Sequence, residues 1–198
     1  MLAHFPNLKT FATKNGCLIR TKYYVISKES IEKFEYKAET KSLAWKNSFT
    51  HSEIYSINDL TLLSEDEFFA TNDHYFSFKS KLLRALETFT FLRLGSVIYC
   101  KGNTCSQRTS KSLHFPNGIQ KMTVDSKELL YVAQSGVKEI ARYEITEDRN
   151  LKQMEPIKII AGMDNFWLDP KTKDLTITGH PKPWVSVLFL KLKKLTQT

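Results

Sequence analysis

The sequence is poor in the residues that mark fibrous, disulfide-based and membrane-spanning proteins. Its 198 residues include only 7 glycines, 6 prolines and 3 cysteines. That composition excludes collagen-like repeats and small domains held together by several disulfides. The longest apolar runs, such as Val185–Leu192, fall far short of the roughly 20 residues that span a bilayer. A transmembrane helix is therefore not expected.

The three cysteines and the N-terminus leave the cellular compartment open. Cys17, Cys100 and Cys105 match no metal-ligand spacing. Cys100 and Cys105 could pair across a loop, but the same sequence suits free thiols. No signal peptide is visible, because the residues from Met1 to Pro6 lead into polar sequence without an apolar core. Either the protein is not secreted by the ordinary route, or the chain lacks its original N-terminus.

What the sequence does contain is the composition of a soluble globular protein. Hydrophobic residues make up 41% and charged residues 25%, enough apolar material to exclude a disordered chain. The net charge of +8 is spread singly, with modest clusters only at Lys79–Arg84 and Lys191–Lys194. Since no nucleic-acid-binding motif accompanies these clusters, a solvated basic surface is favoured and no nucleic-acid partner is predicted.

Strand patterns dominate the chain. Apolar and polar residues alternate in several short segments. Acidic turn sequences separate them, at Ser64–Glu67, Asp125–Lys127 and Asp169–Asp174. The clearest of these segments are Ile31–Tyr36, Ser96–Tyr99, Ala141–Ile145 and Leu175–Thr178. Only Phe78–Arg93 has helical spacing, with Leu82, Leu86 and Phe89 on one face. The pattern predicts a mainly β protein with one inserted amphipathic helix.

A weak internal repeat runs through the strands. Three segments start a strand with an asparagine, pass an acidic turn and return as a second strand: Ser56–Leu60, Phe115–Ile119 and Gly162–Phe166. Their asparagines recur after 59 and 48 positions, and repeats of roughly 40–50 residues with several short strands indicate propeller blades. The asparagine side chains would then converge near the propeller axis. Alternatively, these asparagines merely mark turns.

The same segments resemble the serum paraoxonase/arylesterase family. Asn58–Leu60 followed by Ala70–Phe76, which reads Ala-Thr-Asn-Asp-His-Tyr-Phe, looks like the most recognisable stretch of that family. Phe115–Ile119 is similar to its Phe-Ala-Asn-Gly-Ile segment. Asp164-Asn165 and Gly179-His180-Pro181 follow in the family order. The resemblance implies an all-β, six-bladed propeller with two calcium ions in its central tunnel.

This resemblance implies one partial propeller domain over residues 1–198, with about three to four blades present. Residues 1–29 form an atypical N-terminal segment, residues 30–184 carry the family-like blades, and residues 185–198 form an unmatched tail. An open stack of blades exposes apolar faces and sheet edges. We therefore expect the chain, expressed alone, to aggregate or to melt broadly, as a truncated or short form would.

The activity implied by the family is calcium-dependent hydrolysis of aryl esters and lactones, which are small molecules. By position, the residues matching ligands of the catalytic calcium are Asn58, Asn117, Asp164 and Asn165. Asp59 matches a ligand of the structural calcium, and Phe115 matches a residue that lines the substrate pocket. Calcium takes 6 to 8 oxygen ligands. Asparagine supplies oxygen without negative charge, so the ion can still polarise an ester carbonyl.

Two histidines match family positions near the tunnel. His74 and His180 each follow the outgoing strand of a repeat. Each could serve as a general base, or it could orient ligands or substrate without taking a proton from water.

The predicted helix falls where the family carries an amphipathic helix near the mouth of the active site. There the resemblance implies a membrane or lipoprotein surface, and an extracellular or membrane-associated location in the secretory pathway. The basic residues opposite the apolar face suit an anionic interface: Lys79, Lys81, Arg84 and Arg93. The alternative is a helix that packs its apolar face on the propeller.

Several family features are missing. The two active-site histidines, found in His-Gly-Ile and Asn-His-Pro contexts, have no counterpart here, and neither has the early Glu-Asp pair that completes both calcium sites. The long-range disulfide is also missing, and Gly179 occupies the position of the free thiol. These losses leave the general base unassigned. They favour an alternative function, a non-catalytic paraoxonase-like assembly factor for membrane proteins, ahead of a purely structural β-domain.

Overall fold

The structure is a computed structural model that describes residues 16–19, 22–27, 29–77, 79–110 and 112–180, with side chains from Tyr24 to Gly179 within those ranges. The expectations about the N-terminal segment before residue 16 and about the tail 185–198 therefore lie outside the described residues.

Strands account for most of the described chain and form four antiparallel sheets. Sheet 1 contains β1 (Gly16–Ile19), β2 (Lys22–Ser27), β3 (Ser30–Lys37) and β4 (Ser42–Phe49). Sheet 2 contains β5 (Ile57–Ser64), β6 (Glu67–Asn72), β7 (Ser96–Lys101) and β8 (Thr104–Gln107). Sheet 3 contains β9 (Pro116–Val124), β10 (Lys127–Gln134), β11 (Glu139–Ile145) and β12 (Leu151–Lys158). The described strands of sheet 4 are β13 (Gly162–Leu168) and β14 (Leu175–His180).

The strands of each sheet pair in chain order, so that sheets 1 to 3 are four-stranded up-and-down meanders. This is the construction of a propeller blade. The expectation of a mainly β protein with an inserted helix is confirmed for the described residues, and each of the three asparagine segments contributes the first strand of a sheet.

Acidic and small residues close the tight turns between paired strands. Asp66 (φ 64°) lies between β5 and β6, and Asp125 (φ 48°) and Ser126 (φ 63°) lie between β9 and β10. Aspartate tolerates this left-handed conformation better than bulky residues do. The turns predicted from these sequences are confirmed.

Three apolar cores separate the successive sheets. Neighbouring residues on a strand point to opposite faces, so Phe68 packs between sheets 1 and 2 while Phe69 packs between sheets 2 and 3. In the same way, Leu130 joins the second core and Leu129 joins the third, between sheets 3 and 4. Sheets 2 and 3 are therefore buried on both faces, as internal blades are.

The end sheets differ from the internal ones in exposing large aromatic side chains. Trp45 of sheet 1 is 60% exposed and Trp167 of sheet 4 is 54% exposed.

Among the described residues, no helix has the length and apolar character needed to cross a membrane.

Covalent and ionic links add to the apolar packing. Cys100 and Cys105 face each other across β7 and β8 and form a disulfide, which decides between the two alternatives left open by the sequence. Arg149 joins sheets 2 and 3, because its guanidinium donates to Glu67 (3.0 Å) and to Glu128 (3.0 Å).

The helix α1 spans Lys81–Thr90, within the predicted range 78–93. It ends at Phe91, which is left-handed (φ 53°), and the N–H of Leu92 donates to the carbonyl of Glu87 (3.3 Å). Such a residue satisfies carbonyls that the helix leaves without partners. Phe78 lies outside the described residues.

The orientation of α1 is the main correction to the sequence expectations. Its apolar residues point outward, with Leu82 83%, Leu86 54% and Phe89 60% exposed. The alternative in which this face packs on the sheets is therefore wrong. Arg84 and Glu87 point inward, so assigning Arg84 to an anionic interface is also wrong. The physical reason is that buried polar groups of the preceding loop need charged partners.

Candidate active site

Asp59 lies on β5, where its carboxylate bridges sheets 2 and 3. One oxygen accepts the N–H of Leu60 (2.9 Å) and the other accepts the N–H of Ile119 on β9 (3.0 Å). Burial raises the pKa of Asp59 to about 6, and the charge of Asp164 acts in the same direction, against the two backbone hydrogen bonds. Two acids from different sheets therefore lie close enough to repel each other.

Asn117 lies on β9 and is held from both sides. Its backbone carbonyl accepts the hydroxyl of Thr71 (2.7 Å), and its side-chain nitrogen donates to the hydroxyl of Ser135 (3.1 Å). Ser135 in turn donates to the carbonyl of Met163 (2.7 Å). This chain of hydrogen bonds connects sheets 2, 3 and 4 at the edge where β9 and β13 begin.

Gly118 brings β9 against β13. A Cβ at this position would lie 2.7 Å from the carbonyl oxygen of Asp164 and 2.8 Å from the Cα of Asn165. Only glycine allows this approach, since real Cβ atoms essentially never come so close to backbone. The three asparagine segments are therefore neighbours, with Asn117 next to the segment that carries Asp164 and Asn165. The convergence of their side chains near one axis stays a prediction.

The donor set fits a hard cation such as calcium. Asn58 donates its side-chain nitrogen to Asp73 (3.3 Å) as Asn117 does to Ser135, so each amide keeps its oxygen for another partner. Amide oxygens and carboxylates are suitable calcium ligands, and a cation would relieve the repulsion between Asp59 and Asp164. The described residues include no cluster of three or more His, Cys, Asp or Glu side chains suited to a metal, so the amides would be an essential part of the ligand set.

His74 belongs to a buried polar network between β6 and α1. Its Nδ1 lies 3.0 Å from Asp73 and 2.9 Å from Arg84, and its Nε2 lies 3.1 Å from the hydroxyl of Thr88. Asp73 also accepts hydrogen bonds from Ser56 and from Asn58. Because both ring nitrogens of His74 have partners, the geometry favours the orienting role over the general base, and either role stays a prediction.

Glu87 is fully buried, one helical turn after Arg84. Its carboxylate accepts the backbone N–H groups of Tyr75 (3.0 Å) and Phe76 (3.3 Å). The loop that follows β6 is thereby fixed to α1 on one side by Arg84 and on the other by Glu87.

Phe115, the predicted pocket residue, lies between two histidines. Its ring centroid is 5.0 Å from that of His74 and 4.9 Å from that of His114. The backbone of His180 ends β14, paired with Gly162, and its side chain lies outside the described ones.

Comparisons with known proteins bear on the family of the chain. The model of the Arylesterase family matches residues 8–194. The chain belongs to the arylesterase family. Serum paraoxonase/arylesterase 2 of Bos taurus is 31% identical over 154 residues, which cover 78% of this chain and 42% of that protein. Serum paraoxonase/lactonase 3 of Homo sapiens is 30% identical over 156 residues, which cover 79% of this chain and 43% of that protein.

This arylesterase-family chain thus spans less than half the length of these curated relatives. Among solved structures, the dihydro-heme d1 dehydrogenase NirN in complex with DHE aligns with a TM-score of 0.50 at 12% identity, over 82% of this chain and 30% of that one. That likeness concerns the fold alone.

Sequence reasoning missed three charged residues of the candidate site. Asp73 stands inside the Thr-Asn-Asp-His motif and could have been found there. Arg84 and Glu87 could have been found only from their spacing, which places them on one face of α1. The amphipathic pattern instead assigned Arg84 to an anionic interface.

Proposed function

We propose that this protein is a calcium-dependent hydrolase of aryl esters and lactones, built as part of a six-bladed propeller. The observation that carries the proposal is the convergence of Asp59, Asn117 and the Asp164 segment from three successive sheets. Membership of the arylesterase family supports the reaction class.

In this proposal, Asn58, Asn117, Asp164 and Asn165 hold the catalytic calcium, and Asp59 serves the structural one. When bound, calcium would polarise the carbonyl of the ester. Asp73 and Ser135 fix the amides of Asn58 and Asn117 before substrate arrives, so little reorganisation is needed. Phe115 forms an apolar wall for the substrate, and His74 orients Asp73.

Hydrolysis of phenyl acetate and of a simple lactone, with calcium and with a chelator, tests the proposal. We expect hydrolysis that the chelator abolishes, and calorimetry should detect calcium binding. Asp164→Ala should lower the rate by about 100-fold, the order of effect of removing one group that stabilises charge in a transition state.

Asp174→Ala is the matched control, because Asp174 lies exposed in the turn before β14, and this variant should keep full activity. The proposal would be refuted if neither calcium removal nor Asp164→Ala lowered the rate of hydrolysis. Calcium binding without hydrolysis would instead favour the non-catalytic assembly factor, which the missing His-Gly-Ile and Asn-His-Pro segments support.

We also propose that α1 docks on a lipid or lipoprotein surface. Its outward face combines the exposed Leu82, Leu86 and Phe89 with exposed lysines at 79 and 81, which is the composition of an interfacial helix. The disulfide between Cys100 and Cys105 suits the oxidising secretory pathway, and we propose that location for the protein.

Binding to vesicles of phosphatidylcholine and phosphatidylserine tests the docking. Leu82→Ser should weaken binding about tenfold, since burying a leucine side chain contributes about 1.5–3 kcal/mol. Trp45→Ser is the control, because Trp45 is also a large, mostly exposed side chain but lies on sheet 1. Equal loss of co-sedimentation in both variants would contradict a role specific to α1.

A further inference from the structure

His114 is buried in a way that its chemistry does not explain. Its side chain is 5% exposed, and neither ring nitrogen has a hydrogen-bond partner. Buried polar atoms are nearly always paired, so an imidazole left with two unused nitrogens requires an explanation.

Two phenylalanines clamp the ring. Phe91, the residue that ends α1, lies edge-on to His114 with centroids 5.8 Å apart, and Phe115 stacks on it at 4.9 Å. Both have positive φ, 53° and 51°, a conformation that is strained for a bulky residue. Gly136 makes room for the ring, since a Cβ there would lie 2.5 Å from Nδ1 of His114.

The backbone of His114 is tied to sheet 3. Its N–H donates to the side chain of Gln134 (2.9 Å), and its carbonyl accepts the N–H of Gly136 (3.3 Å). The ring is therefore held by sheet 3 on one side and covered by the end of α1 on the other.

The surroundings of His114 oppose a positive charge. Burial lowers the pKa of the imidazole below its ordinary value, and the charge of Arg93, just after α1, lowers it further; the backbones of Gly136 and Phe91 offset this in part. On the far side of Phe115 lies His74, which is itself held by Asp73 and Arg84.

We propose that protonation of His114 releases the C-terminal end of α1 from the sheets. The equilibrium between the docked state, in which this end packs on the sheets, and the open state then depends on pH. The neutral ring fits between Phe91 and Phe115. The imidazolium would be buried between two rings and next to Arg93, and the backbones of Gly136 and Phe91 would offset that cost only in part, so the ring must leave the clamp to reach water. Phe91 then loses its edge-on contact with His114. This proposal does not require the protein to be a hydrolase.

The sign of the pH effect follows from linkage. The docked state binds the proton more weakly than the open state, in which the histidine has its ordinary pKa of about 6.5. The docked state is thus fully favoured above about pH 6.5, and opening increases by up to tenfold per pH unit as the pH falls towards the docked-state value.

Hydrogen exchange of the amides of residues 81–92, corrected for intrinsic rates, tests the proposal between pH 7.5 and 5.5. In the wild-type chain we expect protection of α1 to fall about tenfold while β9 and β10 remain protected. His114→Phe should remove the pH response. In Arg93→Gln the loss of α1 protection should level off at a higher pH and should be smaller, because the docked histidine binds its proton more readily.

His51→Gln is the control and should respond like the wild type, because the ring of His51 is bonded within its own turn, where Nδ1 accepts the N–H of Glu53. An unchanged pH response in His114→Phe would overturn the proposal, as would a wild-type response that involves β9 and β10 equally. If His114→Phe folds poorly, the wild-type and Arg93→Gln curves decide: identical curves would also overturn it.

Discussion

Gly118→Ala should destabilise the protein by about 3 kcal/mol, at the upper end of the usual cost of overpacking a close-packed site. The three nearest atoms to the new Cβ would all be backbone: the carbonyl of Asp164, the Cα of Asn165 and the N of Phe166, between 2.7 and 3.0 Å away. Backbone cannot rotate away as a flexible side chain can, so β9 and β13 must separate.

If calcium binds as proposed, the same separation should weaken its binding by about 10- to 100-fold, the usual effect of disturbing the groups that orient metal ligands. Urea unfolding and calorimetry measure the two effects. Gly102→Ala is the matched control: Gly102 has positive φ (58°) but no atom within 4 Å of the new Cβ, so only backbone strain of about 1 kcal/mol is expected. Equal stabilities of the two variants would contradict the role given to the contact between β9 and β13.

Arg84→Met should destabilise the protein by about 3 kcal/mol. The side chains of Arg84 and Asp73 are 14% and 12% exposed. Removing the guanidinium leaves a buried carboxylate without its main compensating charge, which costs more than the pair itself contributes. The variant should also loosen α1, because Arg84 donates to the carbonyl of Phe76 (3.0 Å) as well.

A double-mutant cycle with Asp73→Asn separates these causes. The double variant should be more stable than the sum of the single losses implies, because the uncompensated charge is gone. Lys81→Met, on the exposed side of α1, should change the unfolding free energy by less than about 0.5 kcal/mol. Strict additivity in the cycle would show that Arg84 and Asp73 do not act as a pair.

The strands, and the position of each asparagine segment in the first strand of a sheet, could be predicted because both follow from local sequence patterns. Alternation at Leu175–Thr178 identifies a strand without its partners, and the repeated asparagines mark equivalent positions in successive sheets. The same local patterns identified the acidic turn at Asp125.

The orientation of α1 could not be predicted, because amphipathic spacing defines two faces but not what each face meets. The partners of Arg84 and Glu87 lie in the loop after β6, and their need for charge became visible only in three dimensions. The disulfide was left open for a similar reason: pairing depends on the register of β7 and β8, which places Cys100 directly opposite Cys105.

That register has a consequence for self-association. β8 is an edge strand of sheet 2, and an exposed edge is a template on which a second chain can add its own strand. The disulfide fastens this four-residue strand to β7, so it cannot peel away and exchange with another molecule. The corresponding edge strand of sheet 3, β12, carries Lys152, Pro156 and Lys158, residues that obstruct strand addition. Aggregation through these two edges is therefore disfavoured by covalent attachment in one sheet and by side-chain chemistry in the next.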